Sequence, residues 1–219
     1  MNMNFNQARI NMVEQQVRTW EVLDEAILEL FLSIPREDFV PLQYRKLAFA
    51  DLNIPLDHNQ VMMKPAVEGR MLQALEIKED ETVLEIGTGS GYITACLAGL
   101  SQRVCSVEIF ESLSAEALER LASRGIENVE CHVGDAMRDW LPEQAHDVVV
   151  VTGSVPIVPQ RFTEWVNPGG RLFIIRGDAP AMEAACLTRE GVSDWLTESL
   201  FETDIPRLVN AEQEPAFEF

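Results

Sequence analysis

Residues 83–92 read V-L-E-I-G-T-G-S-G-Y, which sets the carboxylate of Glu85 two positions ahead of the alternating glycines Gly87, Gly89 and Gly91, with Thr88 and Ser90 between them. Glycines between an apolar strand and a helix let a ligand come close to the backbone and point helix-terminal amides at it. A tight turn alone needs fewer of them. The dinucleotide fingerprint is G-x-G-x-x-G, with the third glycine serving helix–strand packing, whereas the spacing here is G-x-G-x-G. A pyrophosphate would meet Glu85 as a like charge, and an ammonium group would be attracted to it.

Two more acids extend the pattern. Glu108 ends an apolar run about 20 residues beyond Gly87, where a carboxylate can accept both hydroxyls of a ribose. Gly134-Asp135-Ala136 follows a further apolar run and sets an acid where an adenine amino group would donate. A ribose site suits a nicotinamide cofactor or S-adenosylmethionine, and Glu85 favours the second, whose methionine part is cationic. Taken singly, each acid reads equally well as a solvated strand end. Their joint placement points to a nucleoside with a positively charged tail.

The elements that would hold these groups alternate. Apolar periodicity predicts two amphipathic helices over residues 6–32 with a break near Thr19 and Trp20, then, past Pro35 and Pro41, a loop with short extended pieces over 42–64. Helices are expected over 66–75, 92–100, 113–124 and 161–166, and strands over 82–86, 104–107, 129–133, 147–151 and 171–175. The valine run Val148–Val151 is what burial on both faces of a parallel sheet demands. The fold class expected is therefore α/β, an open doubly wound and mostly parallel Rossmann-like sheet. It carries an N-terminal helical cap and an antiparallel C-terminal edge. A helix near 179–185 and extended pieces at 186–189 and 195–204 complete the reading. Residues 1–64 would form an N-terminal helical region with its loop, 65–203 the core, and 204–219 a tail with Phe217 and Phe219.

Composition narrows the function classes. The 219 residues are 47% hydrophobic, enough for one ordinary core. A formal charge of −19 repels phosphate backbones and anionic headgroups, so nucleic acid and membrane are not expected partners. No run is long and apolar enough for a membrane helix, and MNMNFNQAR lacks the order of a secretory signal, so a cytoplasmic location is expected. Cys96, Cys105, Cys131 and Cys186 show no CxxC spacing and read as buried thiols. His58, His132 and His146 lack ligand spacing, so no metal site is expected.

On these residues the chain resembles the protein-L-isoaspartate O-methyltransferases, a family of class I S-adenosylmethionine-dependent methyltransferases. The likeness runs from about Arg9 to Leu172, through RINMVEQQV (9–17), IPREDFVP (34–41), ADLNIPL (50–56), Pro65 with RML (70–72), VLEIGTGSGYITA (83–95), VGD (133–135) and NPGGRL (167–172). The resemblance implies a methyltransferase with S-adenosylmethionine along the carboxyl ends of the strands and S-adenosylhomocysteine as product. Glu85, Gly87, Thr88, Gly89, Ser90 and Gly91 would hold the methionine part, Glu108 with Ile109 the ribose, and Asp135 with Ala136 the adenine. The N-terminal helices and the 42–64 loop would cover the acceptor, a protein, peptide or small molecule.

One stretch departs from the family. Its acceptor loop usually reads G-Q-T-I-S-x-P, and this chain reads NQVMMKP from Asn59, so Gln60 is kept while Val61 and Met63 stand where a Thr and a Ser are usual. After the fourth strand of the core, Thr152-Gly153-Ser154 replaces a small-residue stretch, which makes Thr152 and Ser154 further acceptor-side candidates. Losing one orienting hydroxyl costs on the order of 1–3 kcal/mol, so cofactor binding is expected to persist and isoaspartyl repair to be weak or absent. Two alternatives stay open: a non-catalytic cofactor-binding sensor or scaffold, and an NAD-dependent oxidoreductase.

Overall fold

In the computed structural model, which describes residues 4–211, Asn4 and Asp24 begin the two N-terminal helices by accepting hydrogen bonds from the amides of Gln7 and Ala26. Helix α1 (Phe5–Met12) runs on through a π turn (Val13–Val17) and a 3-10 turn (Arg18–Trp20). Glu21, at φ 62°, ends this run beside the expected break, and α2 (Glu25–Ser33) follows. The 42–64 loop contains a short antiparallel hairpin, β1 (Ile54–Pro55) with β2 (Val61–Met62). Pro65 then opens α3 (Pro65–Leu75), where a missing N–H costs nothing.

The main sheet is built from β3 (Thr82–Ile86), β4 (Arg103–Glu108), β5 (Val129–Val133), β6 (His146–Val155), β7 (Val166–Arg176), β8 (Met182–Arg189) and β9 (Trp195–Thr203), with α4 (Tyr92–Leu100), α5 (Glu111–Ser123) and α6 (Gln160–Glu164) in the crossovers. Its order is β5-β4-β3-β6-β7-β8-β9. Strands β3 to β7 are parallel, and β8 and β9 add antiparallel to the edge. The chain works outward from β3 to β5 and then returns to the other side of β3 with β6. That reversal makes β3/β6 the switch point, where ligands of open α/β sheets bind at the strands' carboxyl ends.

Burial follows the residue pattern. Val148 and Val150 enter the core on one face of the sheet and Val149 and Val151 the core on the other. Each such burial stabilises by ~1.5–3 kcal/mol. The N-terminal helices share the first core, where Met12, Val17 and Phe31 join Met71, Leu72 and Phe173. They pack on α3 so closely that a side chain at Gly69 would meet Val17 at 2.9 Å and Val22 at 3.0 Å.

Two expectations need correction, and a question the sequence left open, whether the tail docks, is answered for its described part. The helix expected near 179–185 is absent, and Met182 starts strand β8, because Ala184, Ala185 and Cys186 pair with β7 and are buried; alanine's helix propensity is small beside that pairing. Strand β6 continues through Val155, so Thr152-Gly153-Ser154 is strand rather than a following turn. The stretch set apart as a tail from 204 packs on the body as far as the structure describes it. Ser154 N donates to Pro206 O, Leu208 N donates to Ser154 O, and Ile205 and Ala211 are buried. Phe217 and Phe219 lie outside the described residues.

Candidate functional site

A cleft partly open to solvent lies at the switch point. From the loops after β3, β4 and β5 it takes Gly87, Gly89, Glu108, Ile109, Asp135 and Ala136, and from β6 it takes Thr152. Gln60 and Val61 close it from the acceptor loop. The structure thus gathers most of the residues singled out in the sequence. Phe110, Met137, Leu208 and Val209 line it too and were missed; the last two fall in a stretch whose residues show no periodicity.

Hydrogen bonding fixes the glycine turn. Gly87 N donates to Val107 O (2.8 Å), Gly89 N to Glu108 Oε2 (2.9 Å) and Gly91 N to Thr88 O (2.9 Å). These amides were expected to face a ligand and are instead consumed by the protein. A diphosphate would have to bind without them. Thr152 Oγ1 donates towards the carbonyls of Ile86 (2.9 Å) and Gly87 (2.5 Å). A Cβ at Gly87 would sit 2.5 Å from that hydroxyl, and its φ of 98° is one that only glycine adopts freely.

The acids divide into three kinds. Glu108 is buried and accepts from Gly89 N and from Phe110 N (3.1 Å), which holds its carboxylate at the rim with lone pairs to spare for hydroxyl donors. Asp135 accepts from Met137 N (2.9 Å) and from Asn210 Nδ2 (2.6 Å), so residues 208–210 close the cleft at that end. Glu85 lines no part of the cleft. It is fully buried, and Thr94 Oγ1 (2.5 Å) and Ser106 Oγ (2.6 Å) both donate to its Oε2. Burial pushes this carboxyl up to about 8, against the two hydroxyls, with Glu108 adding to the rise. Burial thus favours the neutral form of this carboxyl. Its expected part as an exposed anion beside the turn is not what the geometry shows.

Beyond the glycine turn the acceptor loop forms the opposite wall. His58 stacks on Phe110 with ring centroids 4.1 Å apart and meets Ser112 Oγ at 2.8 Å, which ties the loop to α5. Met63 is buried, and its carbonyl accepts from Arg36 (2.6 Å). Ser154 does not reach this side; its hydroxyl donates to Ile205 O (3.0 Å) beneath the C-terminal segment. The N-terminal helices line neither this wall nor the cleft and act through α3. Among the described residues no group of three or more His, Cys, Asp or Glu is placed to hold a metal ion. None of the helices there is long and apolar enough to cross a membrane.

Comparison with known proteins addresses the same residues. The family described as Protein-L-isoaspartate(D-aspartate) O-methyltransferase (PCMT) matches residues 7–187. Protein-L-isoaspartate O-methyltransferase 1 of Rhodopseudomonas palustris (strain HaA2) is 35% identical over 95% of this chain and 86% of its own length. The chain belongs to the PCMT family. A second member, the protein-L-isoaspartate O-methyltransferase of Opitutus terrae, is 39% identical over 78% of this chain and 73% of its own length. The PCMT fold is matched as well. A Plasmodium falciparum chain described as a beta-aspartate methyltransferase (PCMT), solved with S-adenosyl-L-homocysteine, superposes with a TM-score of 0.80 at 17% identity, covering 94% of this chain and 99% of that one. A second protein-L-isoaspartate O-methyltransferase structure gives 0.76 at 24% identity, covering 91% and 65%. PCMT proteins are S-adenosylmethionine-dependent methyltransferases, and the sheet, the switch-point cleft and the antiparallel edge described above are those of this class.

Proposed function

We propose that this chain transfers the sulfonium methyl of S-adenosylmethionine to a nucleophile on a protein or peptide, and that its activity on isoaspartyl carboxylates is weak. The observation that carries this reading is continuity. One path runs from Asp135 past Glu108 to Gly87 and Gly89 and ends against Val61 and Met63. The cofactor, when bound, supplies an activated methyl group. The chain's own residues orient and enclose: Glu108 accepts ribose hydroxyls, the turn fixed by Thr152 positions the amino-acid part, and the acceptor loop excludes water.

Displacement at a sulfonium methyl is in line, and a carboxylate acceptor is already ionised at neutral pH. Positioning within ~3–3.5 Å then supplies most of the acceleration, with no general base required. A hydroxyl at position 63 would hold such a carboxylate by a hydrogen bond. The thioether of Met63 offers only a weak acceptor and no donor. Labelled S-adenosylmethionine with an isoaspartyl peptide tests this. Slow transfer is expected, and turnover equal to that of a Ser-containing relative would refute the role given to Met63.

The apolar acceptor wall also favours a second reading, a cofactor-binding sensor. Tight binding of S-adenosylhomocysteine with no transfer to any component of a cell extract would select it. An NAD-dependent activity is disfavoured by the consumed amides of the glycine turn.

A further inference from the structure

Past Gly87 and Gly89 the cleft continues into a smaller, narrow chamber of about 30 Å³ that shares Val61 and Thr152 with it and adds Met63, Thr88, Ser90 and Glu68. Glu68 is the one ionisable side chain in that lining. It lies on α3, completely buried, and Arg36 holds its Oε2 in an ion pair that is itself buried. Arg36 spends its remaining arms on Met63 O (2.6 Å) and Ala48 O (2.8 Å), with its guanidinium 4.7 Å above the ring of Tyr92. The second carboxyl oxygen, Oε1, has no hydrogen-bond partner among the described residues; Glu37 Oε2 and Glu85 Oε1 share that state, but neither residue lines the cleft or the chamber.

A buried carboxyl oxygen without a donor is uncommon, because burial removes the water that would have satisfied it. Arg36 does not offset that burial fully, and the group is lifted to about 7 despite its guanidinium. A further donor that carries positive charge would satisfy the oxygen and favour the ionised form at once. The chamber opens directly from the turn at which the proposed function places the amino-acid end of the cofactor. That end carries a single cation, its α-ammonium.

We infer that Glu68, held by Arg36, receives the α-ammonium of S-adenosylmethionine and S-adenosylhomocysteine in the chamber behind the glycine turn. This rests on the cofactor assignment above. It moves the ammonium contact from Glu85, which lines neither cavity, to a carboxylate on α3. Glu68 is then a binding residue that selects ligands with a free amino group, and Arg36 is the positioning residue that orients it. Because Arg36 also grips Met63 O, occupation of the chamber is mechanically linked to the acceptor loop.

Calorimetric titration with three probes tests the assignment: S-adenosylhomocysteine, its analogue lacking the α-amino group, and 5′-deoxy-5′-methylthioadenosine, which has no amino-acid tail. The wild type is expected to bind the first at least ~10-fold tighter than the second, the worth of one charge-assisted hydrogen bond. In Glu68→Gln that preference should fall to near unity while methylthioadenosine affinity is unchanged. Should Glu68→Gln unfold because Arg36 is left unpaired, the double variant Arg36→Leu/Glu68→Leu removes both charges and should show the same loss of preference. A folded variant that keeps the full wild-type preference overturns the role of Glu68 alone. A wild type that binds none of the three probes overturns the cofactor assignment, and this inference falls with it.

Discussion

On the donor side of the cleft almost every polar group is met by another polar group of the protein. Glu108 takes the amides of Gly89 and Phe110, Thr152 holds the carbonyls of Ile86 and Gly87, and Thr88 shares a hydrogen bond with Ser106, which in turn donates to Glu85. The acceptor wall opposite is made of Val61, Met62 and Met63, held from behind by the buried Arg36–Glu68 pair through Met63 O and at its rim by His58 on Phe110 and Ser112. The donor side is thus a preformed hydrogen-bonded frame, and the acceptor side is an apolar surface held only from behind and at its rim. A frame of that kind keeps its ligand through changes elsewhere. A wall without hydroxyls can exclude water but cannot grip a carboxylate, so binding and turnover should respond to different substitutions.

The largest separation should come from the donor frame. Glu108→Ala removes two hydrogen bonds that fix the turn as well as the proposed ribose contact, and is expected to weaken S-adenosylhomocysteine binding by ~100-fold or more in calorimetry. Met63→Ser is the acceptor-side counterpart. It should raise isoaspartyl peptide methylation by ~10- to 100-fold in a radiolabel assay while leaving cofactor affinity nearly unchanged. The cavity it opens should cost ~2–4 kcal/mol in denaturant unfolding. If Met63→Ser changes affinity and not rate, the two walls are not independent.

Smaller effects sharpen the picture of the frame itself. Gly87→Ala forces a Cβ to 2.5 Å from Thr152 Oγ1 at a φ of 98°, which should destabilise by ~1–3 kcal/mol and lower Tm by several degrees. Glu85 contributes through pH. Its folded-state value near 8 lies above its ordinary 4.5, so the folded protein binds the proton more tightly. The stability this contributes is complete below about 4.5 and is lost as pH rises through about 8. Melting temperatures of the empty protein should therefore show a downward component between pH 5 and 8 that Glu85→Gln flattens. A slope unchanged by that substitution would show that the carboxyl is ionised in the folded state.

This contrast also explains what could be read from the chain beforehand. Gly87, Glu108 and Asp135 were legible because strand-to-helix turns of a parallel sheet fix both residue type and spacing locally. The valine run announced its two-sided burial for the same reason. Arg36 and Glu68 were not legible, since they lie 32 residues apart and become partners only when α3 packs behind the acceptor loop. Ser154 could be offered only as an acceptor-side candidate because a hydroxyl near a strand end looks the same whether it faces a cleft or a returning segment. Helix was expected where β8 lies because its alanines carry no strand signal until β7 is beside them. Glu85 had the right spacing, but spacing along a strand does not say whether a carboxyl opens to the cleft or turns under α4, where Thr94 holds it.

The central claim is that the switch-point cleft accepts a nucleoside with a cationic amino-acid tail and rejects a diphosphate. Thermal unfolding of the wild type with S-adenosylhomocysteine and, separately, with NAD tests it most directly, because a ligand that binds only the folded state raises Tm by an amount that grows with the logarithm of its concentration over Kd. A clear rise with S-adenosylhomocysteine and none with NAD is the predicted result. Stabilisation by NAD, with S-adenosylhomocysteine silent, would contradict the account.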